Sequence, residues 1–219
     1  MRITGCAVAL LVAGALAGCV PLRRTPEARF FTLRPVAERP ASPASNAAGP
    51  GIVGVLPVSL PGFLERPQLV AWSAPGEVRV DEFLRWAEPL DASVARVLTE
   101  DLETLLPSHR VIRSPWARST TVQYRVRAEL VRFGLQPGGE VALTARFLVL
   151  PAQGERPLLS RDVELRRDPG RAEAGRAVEA MSSLLADLAA QVAQAIGALP
   201  PDTGENALGA PAQPRADKR

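Results

Sequence analysis

Few side chains in this sequence could do chemistry. It holds two cysteines and a single histidine. Cys19 closes the run Leu16-Ala17-Gly18-Cys19, a lipobox pattern: small residues let a processing peptidase reach the backbone, and the thiol can carry a thioether-linked diacylglycerol. The residues before it support that chemistry. Arg2 supplies a positive start, and Val8 to Leu16 form an apolar run of about ten residues, half the roughly twenty needed to span a bilayer. Residues 1–18 are therefore expected to be a cleaved export signal and Cys19 a lipidated first residue.

That reading removes every other use of sulfur. Cys6 leaves with the signal and Cys19 is acylated, so no thiol is left for a disulfide, a nucleophile or a metal. His109 follows Pro107 and Ser108 in a polar helix-to-strand turn, where a lone histidine is expected to be solvated. Gly49-Pro50-Gly51-Ile52-Val53-Gly54 matches G-x-G-x-x-G, but it enters an apolar strand, whereas a dinucleotide site must open a helix. No serine lies in a G-x-S-x-G elbow, and the acidic pairs fall on helix faces where solvation explains them. The sequence thus predicts no catalytic set, no cofactor and no metal. The formal charge is only +3, Lys218 is the sole lysine, and arginines alternate with acids as in Glu164-Leu165-Arg166-Arg167-Asp168, which argues against nucleic acid.

Acylation makes the membrane the first partner. Two or three acyl chains, at about 0.8 kcal/mol per buried methylene, make desorption negligible. In the lipoproteins this lipobox resembles, an aspartate after the cysteine tends to hold the protein at the inner membrane; Val20 stands there here, so the resemblance implies outer-membrane sorting facing the periplasm. Residues 19–28 read as a tether reaching roughly 30 Å. Residues 29–200 read as one domain, large enough to bury a core, and residues 201–219 as a disordered polar tail.

The elements that would build this domain can be read from periodicity. Arg29 to Leu33 and Gly51 to Val58 read as strands separated by a Pro/Ala-rich connection, and Gln68 to Ser73 with Glu77 to Asp81 as a hairpin across Ala74-Pro75-Gly76. Pro89 to Leu106 places Leu90, Val94, Val97, Leu98, Leu102 and Leu105 on one helical stripe, with Asp91 as cap or first-turn residue. Val122 to Leu130 alternates strictly; the parity then shifts to Val131, Phe133 and Leu135, predicting a bulge near residues 130–131. Gln136-Pro137-Gly138-Gly139 turns the chain into Val141 to Val149, and Pro157 to Arg166 completes an antiparallel meander. Arg171 to Leu199 reads as a long covering helix. The expected class is α+β: an antiparallel or mixed sheet packed against two main helices in a single domain.

Aromatic residues concentrate between residues 57 and 90: Phe63, Trp72, Phe83 and Trp86. They suit either interface anchors or plugs of a small core. In this stretch the sequence resembles the PqiC/YmbA family, auxiliary lipoproteins of MCE-type lipid transport systems. Arg29-Phe30-Phe31-Thr32-Leu33 is similar to the family's R-Y-Y-T-L. The run from Pro57 to Val70 (PVSLPGFLERPQLV) is similar to P-V-x-L-P-x-Y-L-D-R-P-Q-[IL]-V, and Phe83 to Leu90 (FLRWAEPL) to F-x-R-W-A-E-P-L. Pro115-Trp116 and Ala180-Met181-Ser182 follow in order. Phenylalanine replaces tyrosine at 30, 31 and 63, so no role resting on a tyrosine hydroxyl carries over. The resemblance implies an outer-membrane lipoprotein, not an enzyme, that docks onto a periplasm-spanning MCE protein with an inner-membrane permease, and that forms a homo-oligomer. Phe63, Arg66, Arg85, Trp86 and Glu88 are the candidate partner interface. A scaffold or activator of another envelope machine, such as a cell-wall synthase, is the competing reading.

Overall fold

Eight strands and two helices follow one another through residues 26–38, 51–171 and 173–199, the parts described by the computed structural model. The order is β1 (Arg29–Phe31), β2 (Gly51–Val55), β3 (Gln68–Ala74), β4 (Glu77–Trp86), α1 (Leu90–Leu105), β5 (His109–Arg113), β6 (Tyr124–Leu135), β7 (Val141–Pro151), β8 (Leu159–Arg167) and α2 (Ala174–Gly197). The lipobox residues Leu16, Ala17 and Gly18, the lipidation site Cys19, most of the tether, the connection at 39–50 and the C-terminal tail lie outside the described residues. Among the described residues no helix is long and apolar enough to cross a membrane.

The strands form two mixed sheets, one of five strands in the order β5-β2-β6-β7-β8 and one of three in the order β1-β4-β3. The larger follows from alternation. On β6, Tyr124, Val126, Ala128 and Leu130 face Pro151, Val149, Phe147 and Ala145 of β7 across the antiparallel ladder, and the named hydrophobic residues of this set are almost fully buried. The intervening Arg125, Arg127 and Glu129 point away from the core, and Glu155 bridges Arg125 and Arg127 there. The expected bulge is present: the register slips between Leu130 and Arg132, which transfers the inward role to Phe133 and Leu135 but leaves Val131, expected to share it, 55% exposed. α1 and α2 lie side by side over the apolar face. α2 buries Val178, Met181, Leu184, Leu185, Leu188, Val192 and Ile196, a stripe repeating every three to four residues.

The structure adds one pairing that the sequence left open and departs from the sequence reading at three strands. β1 pairs in parallel with β4, through Arg29 with Leu84, Phe30 with Arg85 and Phe31 with Trp86. β4 runs on to Trp86, five residues beyond the expected end at Asp81: residues 84–86 pair with β1, and Arg85 also pairs with Gln68 of β3 across a wide register shift from the Val80–Val70 pair. The strand from Gly51 ends at Val55, three residues before its expected end at Val58. Finally, β5 is a strand the periodicity did not announce. It pairs in parallel with β2, whose other edge pairs in parallel with β6.

Candidate functional site

Pro61 to Leu64 make a tight turn, closed by the Leu64 amide donating to the Pro61 carbonyl at 2.8 Å, with Leu64 driven into the core. Glu65, Arg66 and Pro67 emerge from it exposed. Across from them β4 ends in Trp86, which is stapled on both sides: its amide donates to the Pro67 carbonyl at 2.7 Å, and the Ala87 amide to the Phe31 carbonyl at 2.8 Å. Pro89 then occupies the N-cap position of α1 with extended backbone angles, so the chain turns sharply into the helix, and Asp91 lies in the first turn where the helix dipole favours a carboxylate. Between these two segments runs an open groove of about 410 Å³ lined by Glu65, Arg66, Pro67, Trp86, Ala87, Glu88, Pro89, Leu90 and Asp91.

Glu88 is held firmly at the lip of this groove. Its carboxylate accepts from Arg96 of α1 at 2.7 Å and from the Thr32 hydroxyl at 3.2 Å, while Arg96 also donates to the Leu33 carbonyl at 3.0 Å. The Arg96 guanidinium holds the Glu88 carboxyl below the usual carboxylate range, and burial opposes it more weakly; Arg96 is raised in turn. One ion pair therefore ties the end of β4, the exit of β1 and the middle of α1 together.

The five candidate interface residues do not share one surface. Arg66, Trp86 and Glu88 meet at this groove. Trp86, however, is only 7% exposed; it forms the floor and packs into the core, so the partner would meet only its rim. Phe63 belongs to a second groove, stacked edge-on against Trp72 with ring centroids 5.6 Å apart. Arg85 points to the outer face of the small sheet, bonded to the Glu82 carbonyl at 2.9 Å.

Two polar residues were misjudged or missed. His109 is not solvated. It is 6% exposed at the start of β5, neither ring nitrogen has a hydrogen-bond partner, and burial pushes its pKa down. Asp101, on the core side of α1, is fully buried and accepts from the Val36 and Ala37 amides at 3.0 and 2.9 Å. Burial raises its pKa despite those bonds. The only hint in the sequence is that an aspartate at 101 sits beside Leu98 and Leu102 on the apolar stripe. The Ser182 hydroxyl accepts from the Arg34 amide at 3.2 Å, so the segment after β1 is fastened to both helices. The glycine pattern at 49–54 also finds a packing explanation. A Cβ on Gly54 would lie 2.5 Å from the indole of Trp116, so Gly54 is the flat spot on which that tryptophan rests.

The sequence matches the ABC-type transport auxiliary lipoprotein component family over residues 31–193. The chain belongs to that family. Its match takes in both walls of the groove. Two solved structures share the fold of this auxiliary lipoprotein. An uncharacterised protein superposes with a TM-score of 0.64 at 19% identity, covering 78% of this chain and 99% of its own. A Xanthomonas campestris protein superposes with a TM-score of 0.63 at 13% identity, covering 75% and 92%. No curated protein matches the sequence. The family is one of transport auxiliaries and not a known enzyme family. Among the described residues no group of three or more His, Cys, Asp or Glu side chains could hold a metal.

One further cavity bears on transport. Between the small sheet, Phe133 and the start of α2 lies an apolar cavity lined by Leu64, Val70, Leu84, Trp86, Phe133 and Met181, of about 90 Å³. That is less than the roughly 150 Å³ that accommodates a single benzene ring.

Proposed function

We propose that this auxiliary lipoprotein is anchored by Cys19 in the outer membrane, faces the periplasm, and docks onto a periplasm-spanning MCE protein whose inner-membrane partner is a permease. In that assembly its task is attachment and not carriage. The observation that carries the reading is the family match over residues 31–193, combined with the lipobox ahead of it. The groove framed by Arg66 and Glu88 is the docking surface: Arg66 is exposed, and Glu88 is already fixed in place, so little ordering entropy opposes association.

Cross-linking in cells followed by affinity recovery tests this directly. The native chain should bring down an MCE protein, and Arg66→Glu should reduce that recovery about tenfold or more, as for an arginine anchor at an interface, with an unchanged melting temperature. Recovery of a cell-wall synthase in place of an MCE protein would establish the competing reading, and recovery of neither would refute both.

A further inference from the structure

The outer face of the three-stranded sheet carries a feature that neither the core nor the groove uses. Along β1, Phe31 packs on the core and its register partner Trp86 is buried. Phe30 and its partner Arg85 therefore point the opposite way. Arg85 is in turn the register partner of Gln68 on β3, so Phe30, Arg85 and Gln68 form one row across all three strands. Phe30 is 64% exposed, the most exposed large hydrophobic side chain among the described residues. An isolated exposed apolar residue needs no explanation. This one, however, lies on an edge strand at the start of the folded chain, eleven positions after Cys19 in the sequence.

We infer that this row is a membrane-contact face, in which Phe30 enters the interfacial region of the leaflet that holds the lipid anchor and Arg85 leaves its 3.5 Å ion pair with Glu82 for lipid phosphate. The inference rests on the lipidation of Cys19. Eleven residues reach at most about 40 Å. The anchor thus keeps Phe30 at high effective concentration beside the bilayer, so a contact too weak to bind a membrane alone can still orient an anchored protein. Arg85 suits the position because its guanidinium can keep its charge at the phosphate level while its stem lies along apolar surface. The groove at Arg66 and Glu88 lies at the end of the same sheet and remains open to a partner arriving along the membrane.

The test uses the acylated full-length protein in vesicles of phosphatidylethanolamine and phosphatidylglycerol. Because acylation blocks Cys19, a nitroxide can be placed at one introduced cysteine, either Gln68→Cys on the proposed face or Leu158→Cys at an exposed site just before β8. Power-saturation electron paramagnetic resonance should show the label at 68 colliding with oxygen and shielded several-fold from aqueous nickel, relative to the label at 158. Adding Phe30→Ser should return position 68 to the aqueous values and leave the thermal melt unchanged. Equal nickel access at 68 and 158, or a shielded 68 that ignores Phe30→Ser, would overturn the proposal. The intact mass of the mature chain reports acylation separately, so an unmodified Cys19 would refute the anchor itself and not be mistaken for failure of the contact face.

Discussion

The five-stranded and three-stranded sheets solve the same problem differently. In the larger sheet every inward position of β6 and β7 is apolar, the ladder breaks once, at the bulge after Leu130, and two amphipathic helices cover the face. Many similar contacts share the load, so the loss of one side chain is local. In the smaller sheet β1 has only three residues, the β3–β4 register shifts twice, and order comes from individual contacts: Trp86 stapled to Pro67 and Phe31, and Glu88 locked by Arg96. Redundancy makes a scaffold; singular contacts make a surface whose shape depends on a few residues. The candidate docking groove belongs to the second kind.

The contrast breaks most clearly at Trp86. Trp86→Ala should cost about 3–5 kcal/mol, the range for truncating a buried aromatic. Hydrogen exchange should show amides of β1, β3 and β4 losing protection before those of β6 and β7. Uniform loss across both sheets would mean that they unfold as one unit and that the distinction is only geometric. A smaller effect is expected inside the large sheet. Gly54→Ala places a methyl group against the Trp116 indole and should cost about 1–3 kcal/mol by overpacking. Denaturant midpoints at a constant slope measure it, and tryptophan emission should report the displaced ring.

The smallest effect is pH-dependent and concerns His109. Its folded pKa lies below the ordinary value of 6.5, because burial penalises the charged ring. The unfolded chain therefore binds the proton more readily, and stability, constant above about pH 6.5, should fall as the pH drops below it. His109→Leu should remove that decline. Asp101 works in the other sense. Its raised pKa adds stability as the pH falls, which is lost as pH rises through the folded pKa. Comparing urea midpoints of native chain and variant at about pH 7.5 and about pH 5 isolates the histidine, since Asp101 is common to both.

What could be read in advance follows the same division. The β6–β7–β8 meander, its bulge and both helices were visible because their signals are local: a period of two, a change of parity, a stripe at three to four residues. β5 escaped because it is five residues long, two of them exposed arginines, and its pairing with β2 is parallel and remote in sequence. β4 was cut short because its alternation fails where its register with β3 slips. In the candidate site, residue types located the groove but not their roles. Trp86 and Phe63 have the same chemistry whether they floor a core or meet a partner, and only the staple to Pro67 and Phe31 separates the cases. His109 looked solvated because its neighbours in sequence are polar, but its neighbours in space come from elsewhere in the fold.

The fastening of the segment after β1 also has a mechanical side. Any pull on a membrane anchor enters the fold at Arg29 and is first resisted by the three register pairs of β1 with β4. If that short strand peels away, the load meets a second stop, where Ser182 holds the Arg34 amide and Asp101 holds those of Val36 and Ala37. The two latches act in series, and the second is bolted to both helices. On this arrangement a tug from the envelope would be expected to strip the first strand before it reaches the helix-covered sheet.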